Sequence, residues 1–306
     1  MLVLTPAAPP QKLATAGIFD YVTVDAVHRR VYAAHEGAST LLVVDADRGK
    51  VLREIKVGPM HGVAYDVKTD RVFVGVGEDL HAVSEVDPRT YRVTRTVQVP
   101  GHVDAIAYDP ELHRIYADED EGTRIFVVDS KTFKRIGTIA LPGHKPEYIQ
   151  VDPVSHAIYQ NISDAHEIVV IDPQTLKITK TIPTPELQEN HPLQYDPAFH
   201  ALYVAGENGL LSVYSPTGKH LQTMRYPTRV DQCDLDVTRA LLACGRGKIT
   251  LVKLGASSKP TIVGQIDVAP GMKTLAVDQK TGDIWVVWSD KRAHDAAYVQ
   301  RFTYKR

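Results

Sequence analysis

The sequence is short of several things that would narrow its class at once. Two cysteines among 306 residues exclude a disulfide framework and a four-thiolate zinc site. No apolar run approaches the roughly 18 residues of a membrane span, and Met1 to Pro6 is too short for a signal peptide. Charge of one sign is missing too. With 35 Lys and Arg against 37 Asp and Glu, the chain has no general pull toward nucleic acid or acidic membranes. Arg89, Arg92 and Arg95 are spread along one segment rather than gathered in a stripe, so nucleic acid is not an expected partner. A sustained 3.6-residue apolar period is absent, which predicts few helices. Nucleophile elbows, phosphate-binding glycine loops, His-Glu-x-x-His pairs and dinucleotide fingerprints are absent as well. Composition, at 43% hydrophobic residues, predicts a soluble globular protein with a large core.

What is present is a repeat. An aspartate closes a short apolar run at Asp25, Asp66, Asp109, Asp152, Asp196, Asp236 and Asp278, at intervals of 41, 43, 43, 44, 40 and 42 residues. Seven residues on stands a large side chain: Tyr32, Phe73, Tyr116, Tyr159, Tyr203 and Trp285, with Leu242 one place early. A second apolar run ends in Asp, as in Leu41-Leu42-Val43-Val44-Asp45 and Ile125-Phe126-Val127-Val128-Asp129, and an alternating segment closes the unit. Four β-rich runs per unit of ~40–45 residues are the signature of propeller blades. The chain is therefore expected to be all-β, a single domain over residues 1–306 forming a seven-bladed β-propeller of four-stranded blades.

The last unit runs out of chain after three strands. The segment Gln11–Gly17 matches the outer strand and glycine of the first unit, Arg53–Gly58, and Gly17 precedes Asp20 as Gly58 precedes His61. An N-terminal strand at about 11–17 is thus expected to complete blade 7 and remove its open edge.

The motifs Arg30-Val31-Tyr32-Ala33, Arg114-Ile115-Tyr116-Ala117 and Ala201-Leu202-Tyr203-Val204, with the Val-Val-Asp runs that follow, resemble the YVTN or YncE-like seven-bladed propeller family over essentially the whole chain. Members of that family are mostly exported in bacteria. The resemblance implies an exported or periplasmic protein with its leader absent from this chain, a cytoplasmic location being left open. Related propellers include lactonases and lyases with a metal at the mouth of the central channel, but none of their catalytic motifs carries over, and fold alone does not fix activity.

Counting back from each aspartate, positions −1 and −3 are apolar, with −1 expected to face +7 and −3 to face +9 across the first hairpin. Position −5 breaks the pattern. It reads Asp20, His61, Asp104, Glu147, His191, Asp231 and Lys273, and is expected to ring one mouth of the channel. The same count pairs Asp104 with Asp120, His191 with Glu207, Asp231 with Arg246 and Lys273 with Ser289. Asp118 and Asn161 stand in the +9 layer, which is otherwise Ala, Gly, Cys and Val. The bland reading is a solvated rim; another is a polar network without a metal, in which Lys145, Arg124 or Lys273 balances the carboxylates.

The sharper reading is a site at the mouth face for a small polar ligand or a protein partner, on a monomer. Asp104, Asp118, Asp120 and Glu147 are the candidate ligands of a divalent metal, Ca²⁺, Mg²⁺ or Mn²⁺ for oxygen donors, with the histidines drawing Zn²⁺ or Fe²⁺. Asp20, Asn161, Asp231 and Lys273 are the remaining candidate ligand contacts. The alternative is a metal-dependent hydrolase or lyase acting on a lactone, sugar acid or related substrate. In that case His191 with Glu207, or His61, would move the proton. Other mouth-side histidines are His35, His81, His102, His144, His166 and His294, and the loop 289–296 is a long one on that side. Cys233 and Cys244 are expected to be direct cross-strand neighbours, as a disulfide or as a buried thiol pair.

Overall fold

The computed structural model describes residues 1–77, 80–226, 229–255, 259–290 and 295–305; His294 and the centre of loop 289–296 lie outside the described residues. The fold is all-β, a seven-bladed propeller of four-stranded antiparallel blades, with a single three-residue 3₁₀ turn at Glu36–Ala38 among the described residues. Blade 1 runs through Val22–Asp25, Arg30–His35, Thr40–Asp45 and Val51–Lys56. In the last blade, Thr274–Val277, Ile284–Ser289 and Ala297–Lys305 are joined by two N-terminal strands, Val3–Pro6 and Gln11–Lys12, both antiparallel to Ala297–Lys305. The N-terminus thus completes blade 7 as expected, but with strands at 3–6 and 11–12 in place of one at 11–17. The alignment of the two glycines holds. Gly17 and Gly58 share the same positive φ, 134° and 138°, and a Cβ on Gly17 would stand 2.7 Å from the Gly37 carbonyl carbon.

The recurring aspartates have a structural explanation. Each caps the turn that follows it, as Asp25 does by accepting from the backbone N–H of Val27 and His28, and Asp109 from Glu111 and Leu112. Four residues after the aspartate the chain takes a left-handed conformation at Arg29, Asp70, His113, His156, His200, Ala240 and Gly282. The second carboxylate oxygen is often held from the next blade. Tyr108 donates to Asp66, Tyr195 to Asp152 and Arg29 to Asp278, while His156 Nδ1 meets Asp109. One residue therefore ends a strand, shapes a turn and ties two blades together.

That turn also corrects the expected register. With four residues between the strands, Asp109 pairs with Arg114, Ala107 with Tyr116 and Ile106 with Ala117, one residue off the expected −1/+7 and −3/+9 pairing. A one-residue slip sends side chains to the opposite face. Blade 6 has the same turn length as the others, Asp236 pairing with Leu241, so its large residue at Leu242 is a local substitution and not a shorter turn. The inner-strand and +7 side chains still form the core: Tyr32 and Tyr116 are fully buried, as are nearly all of Phe73 and Trp285.

The blades fall into two compact units, one of residues 1–60 with 230–306, the other of residues 61–229. In the first, Phe19, Leu42, Trp285 and Val299 belong to one apolar cluster, and Leu4, Leu251, Ile284 and Phe302 to another. In the second, Phe73, Ile115 and Phe126 form one cluster and Tyr159, Leu193 and Tyr214 another.

Candidate functional site

The second unit holds most of the expected site. The inner strands of blades 3, 4 and 5 are Val103–Asp109, Pro146–Val151 and Asn190–Asp196. In each, the register to the neighbouring strand jumps near the start: between Val103 and Ile106, Pro146 and Ile149, and Asn190 and Leu193. Asp104, Glu147 and His191 sit inside these irregularities. Bulges re-aim a side chain that a regular ladder would send elsewhere, and they are frequent beside binding sites.

Polar groups set into the otherwise apolar layers pin two of the bulges. Asp118 is fully buried; its Oδ1 accepts the Ala105 N–H at 2.6 Å and its Oδ2 accepts from Gln160 Nε2 at 2.9 Å. Asn161 Nδ2 donates to the His191 carbonyl at 2.9 Å, and Asn190 Nδ2 donates to Asn161 Oδ1 at 3.0 Å. The chain Asp118–Gln160–Asn161–Asn190 thus crosses three blades. Burial pushes the Asp118 carboxyl well above its ordinary value, its two donors pull it down, and the charges of Glu147 and Asp120 raise it further.

Each bulge presents a carboxylate to an imidazole or an imidazole to a carboxylate. His61 Nδ1 lies 3.9 Å from Asp104 Oδ1, His102 Nδ1 lies 3.0 Å from Asp120 Oδ2, and His191 Nε2 lies 2.9 Å from Glu147 Oε2. The rings of His61 and His102 meet edge to face at 5.2 Å, and His81 is the next ring along, 6.0 Å from His102. These side chains are half-buried, between 14% and 38% exposed, so a solute can reach them while the protein still excludes part of their water.

The register corrects one expected pairing, Asp104 with Asp120, and the ion pairs place the other residues. Asp120 meets His102 and not Asp104; its N–H also donates to the His102 carbonyl. His191 meets Glu147, and the Glu207 carboxylate takes Arg229. Lys273, in the first unit, reaches Asp20 at 3.5 Å. Asp231 stands just before the inner strand of blade 6, Gln232–Asp236, and is buried. Arg124 engages Glu119, which lies between Asp118 and Asp120, and holds that carboxyl below its usual range. His35, counted among the mouth-side histidines, is fully buried against Phe19, and burial lowers its titration despite Glu54 at 3.2 Å.

Sequence reasoning missed Gln160 and Asn190, although a signal existed. At the position of Gln160 the other blades carry Ala33, Val74, Ala117, Val204, Cys244 and Val286. At that of Asn190 they carry Phe19, Met60, Val103, Pro146, Val230 and Met272.

Cys233 and Cys244, opposite each other on the first two strands of blade 6, are joined by a disulfide. No helix among the described residues is long and apolar enough to cross a membrane.

No family model and no curated protein matches the chain. A solved structure of hydrazine synthase from Kuenenia stuttgartiensis is similar over 97% of this chain and 97% of that one, at a TM-score of 0.80 and 14% identity. At that identity the likeness speaks to the seven-bladed fold alone.

Proposed function

We propose that the protein is a ligand-binding propeller of the YVTN/YncE-like type. Its recognition face runs along the bulges of blades 3 to 5 and takes in His61 of blade 2, so that Asp104, Asp120 and Glu147 stand with His61, His102 and His191. The ligand is a divalent cation, or a small polar molecule that presents one. The observation that carries this reading is the threefold repetition of an imidazole–carboxylate pair at half-buried positions of one unit. Imidazole and carboxylate donors together suit Zn²⁺ or Mn²⁺ better than Ca²⁺ or Mg²⁺. Asp118 and Asn161 fit a supporting role: one is favoured in its protonated form by burial, the other is spent on the His191 carbonyl. The disulfide supports an exported protein in an oxidising compartment.

Metal analysis of the purified protein, with thermal shifts in Zn²⁺, Mn²⁺ and Ca²⁺, tests the reading. Retained metal or a saturable stabilisation, lost in a His61→Ala/Asp104→Ala double variant, is expected; no metal and no shift with any of the three ions removes it. A second reading, a hydrolase or lyase acting on a lactone or sugar acid, is favoured by the 2.9 Å contact between His191 and Glu147, an imidazole oriented as a general base. Turnover of such substrates, abolished by His191→Ala without loss of fold, distinguishes the two.

A further inference from the structure

The first unit carries a cavity of about 170 Å³ that is separate in chemistry from the histidine–carboxylate face. Its apolar walls include Phe19, Met272 and Trp288, and its polar groups are Arg246, Lys273 and Ser289. A cavity of about 150 Å³ lined by apolar side chains is large enough for benzene, so this one has room for a single ring or a short aliphatic chain.

Both aromatic walls are stacked on a second ring. Phe19 stacks on the buried His35 ring at 4.1 Å and 14°, and Trp288 stacks on Tyr298 at 5.3 Å and 19°. The backbone before Phe19 is fixed as well, Ile18 accepting from the Gly37 N–H. A slot whose walls are already ordered spends little of its binding energy on ordering them. Lys273 is shared with Asp20 at 3.5 Å, which positions the ammonium at the cavity edge while leaving 42% of its side chain exposed.

We infer that this cavity is a binding site for a small organic carboxylate, its apolar body between Phe19 and Trp288 and its charge toward Arg246, Lys273 and the Ser289 hydroxyl. Guanidinium, ammonium and hydroxyl are all donors, and charge-assisted hydrogen bonds to a carboxylate exceed those to a neutral amide. An apolar body with one anionic end is the ligand whose two halves match the two halves of the lining.

Calorimetric titration with benzoate, in the presence of EDTA so that bound metal plays no part, tests this. Saturable binding with a Kd of about 1 mM is expected for so small a ligand. The neutral isostere benzamide should bind about tenfold more weakly or worse, and Arg246→Met and Lys273→Met should each lose about tenfold. The chain has two tryptophans, Trp285 and Trp288. Only Trp288 lines the cavity, so benzoate should change the fluorescence, and that change should vanish in Trp288→Phe. No saturable benzoate binding, equal binding of benzamide, full affinity in both charge variants, or a fluorescence change that survives in Trp288→Phe each overturns the assignment. The benzamide comparison needs no variant and stands even if a substitution prevents folding.

Discussion

The Arg29 guanidinium holds the Asp278 carboxylate through two hydrogen bonds, of 2.9 and 2.6 Å, across a sequence separation of 249 residues. Asp278 is fully buried and Arg29 partly buried. Burial alone would raise this carboxyl; the guanidinium and the turn N–H of Lys280 reverse that and hold it below its usual range. The pair is the strongest version of the device that recurs through the fold, an aspartate that ends an inner strand and is gripped from the next blade.

Removing the cation should be costly. Arg29→Met leaves a buried carboxylate without its partner, and a loss of about 3–5 kcal/mol in denaturant unfolding is expected at pH 7. The sign with pH follows from the depressed value. The pair's contribution is fully present above the unfolded carboxyl value and is lost as pH falls through the folded one. The gap between wild type and variant should therefore narrow in acid. A gap that is constant from pH 7 down to pH 3 would show that the ion pair is not its source.

Asp118 works in the opposite sense. Its carboxyl is raised, so the folded chain binds a proton that the unfolded chain releases, and stability falls as pH rises past the ordinary carboxyl range. Asp118→Asn mimics the protonated form, and Gln160 can turn its amide to offer Oε1, which has no hydrogen-bond partner among the described residues, at the expense of its bond to the Asn161 carbonyl. The variant should gain on wild type as pH rises from 4.5 to 7.5. Asp118→Ala, by contrast, strands the Ala105 N–H and should cost roughly 2–4 kcal/mol at every pH. Parallel pH profiles for wild type and Asp118→Asn would mean that Asp118 is ionised in the folded protein.

The contrast between these two aspartates shows what the sequence made legible. Seven evenly spaced aspartates, six of them with an aromatic seven places on, were enough for the blade count because the turn geometry they impose repeats, and the match of Gln11–Gly17 to Arg53–Gly58 was enough for the role of the N-terminus. The site was readable only as a set of positions. Its pairings were not, because register depends on one left-handed residue per turn, at non-glycine residues such as His113 and His156 that carry no such signal in their identity. Three local bulges then re-aimed Asp104, Glu147 and His191 in a way that counting along a regular ladder does not foresee.

The disulfide of blade 6 offers a direct measurement. Cys233 and Cys244 are separated by 11 residues in sequence, and closing a loop of that size stabilises by about 3 kcal/mol in the chain-entropy description. Thiol titration under denaturing conditions should find no free cysteine. Reduction, or a Cys233→Ala/Cys244→Ala double variant, should lower stability by about that amount and leave the other blades folded. Two titratable thiols in protein purified from an oxidising compartment would contradict the bond.

The N-terminal strands make the last prediction. Val3–Pro6 pairs with the outer part of Ala297–Lys305, Leu4 is 6% exposed in the cluster with Leu251, Ile284 and Phe302, and the Leu2 N–H donates to the Val263 carbonyl of blade 6. Gln11–Lys12 extends the same ladder, and the Gln300 side chain donates to the Ala8 carbonyl between the two strands. Deleting residues 1–12 therefore removes a buried leucine, opens the edge of the last blade and unties it from its neighbour. Loss of the leucine alone is worth about 3 kcal/mol, the value expected for Leu4→Ala. The full deletion should lower the melting temperature by about 10 °C or more, given a few degrees per kcal/mol for a chain of this size. The bare edge strand should also promote self-association, visible as a concentration-dependent rise in light scattering. A truncated protein that melts with the full-length chain and stays monomeric would show that Ala297–Lys305 needs no partner.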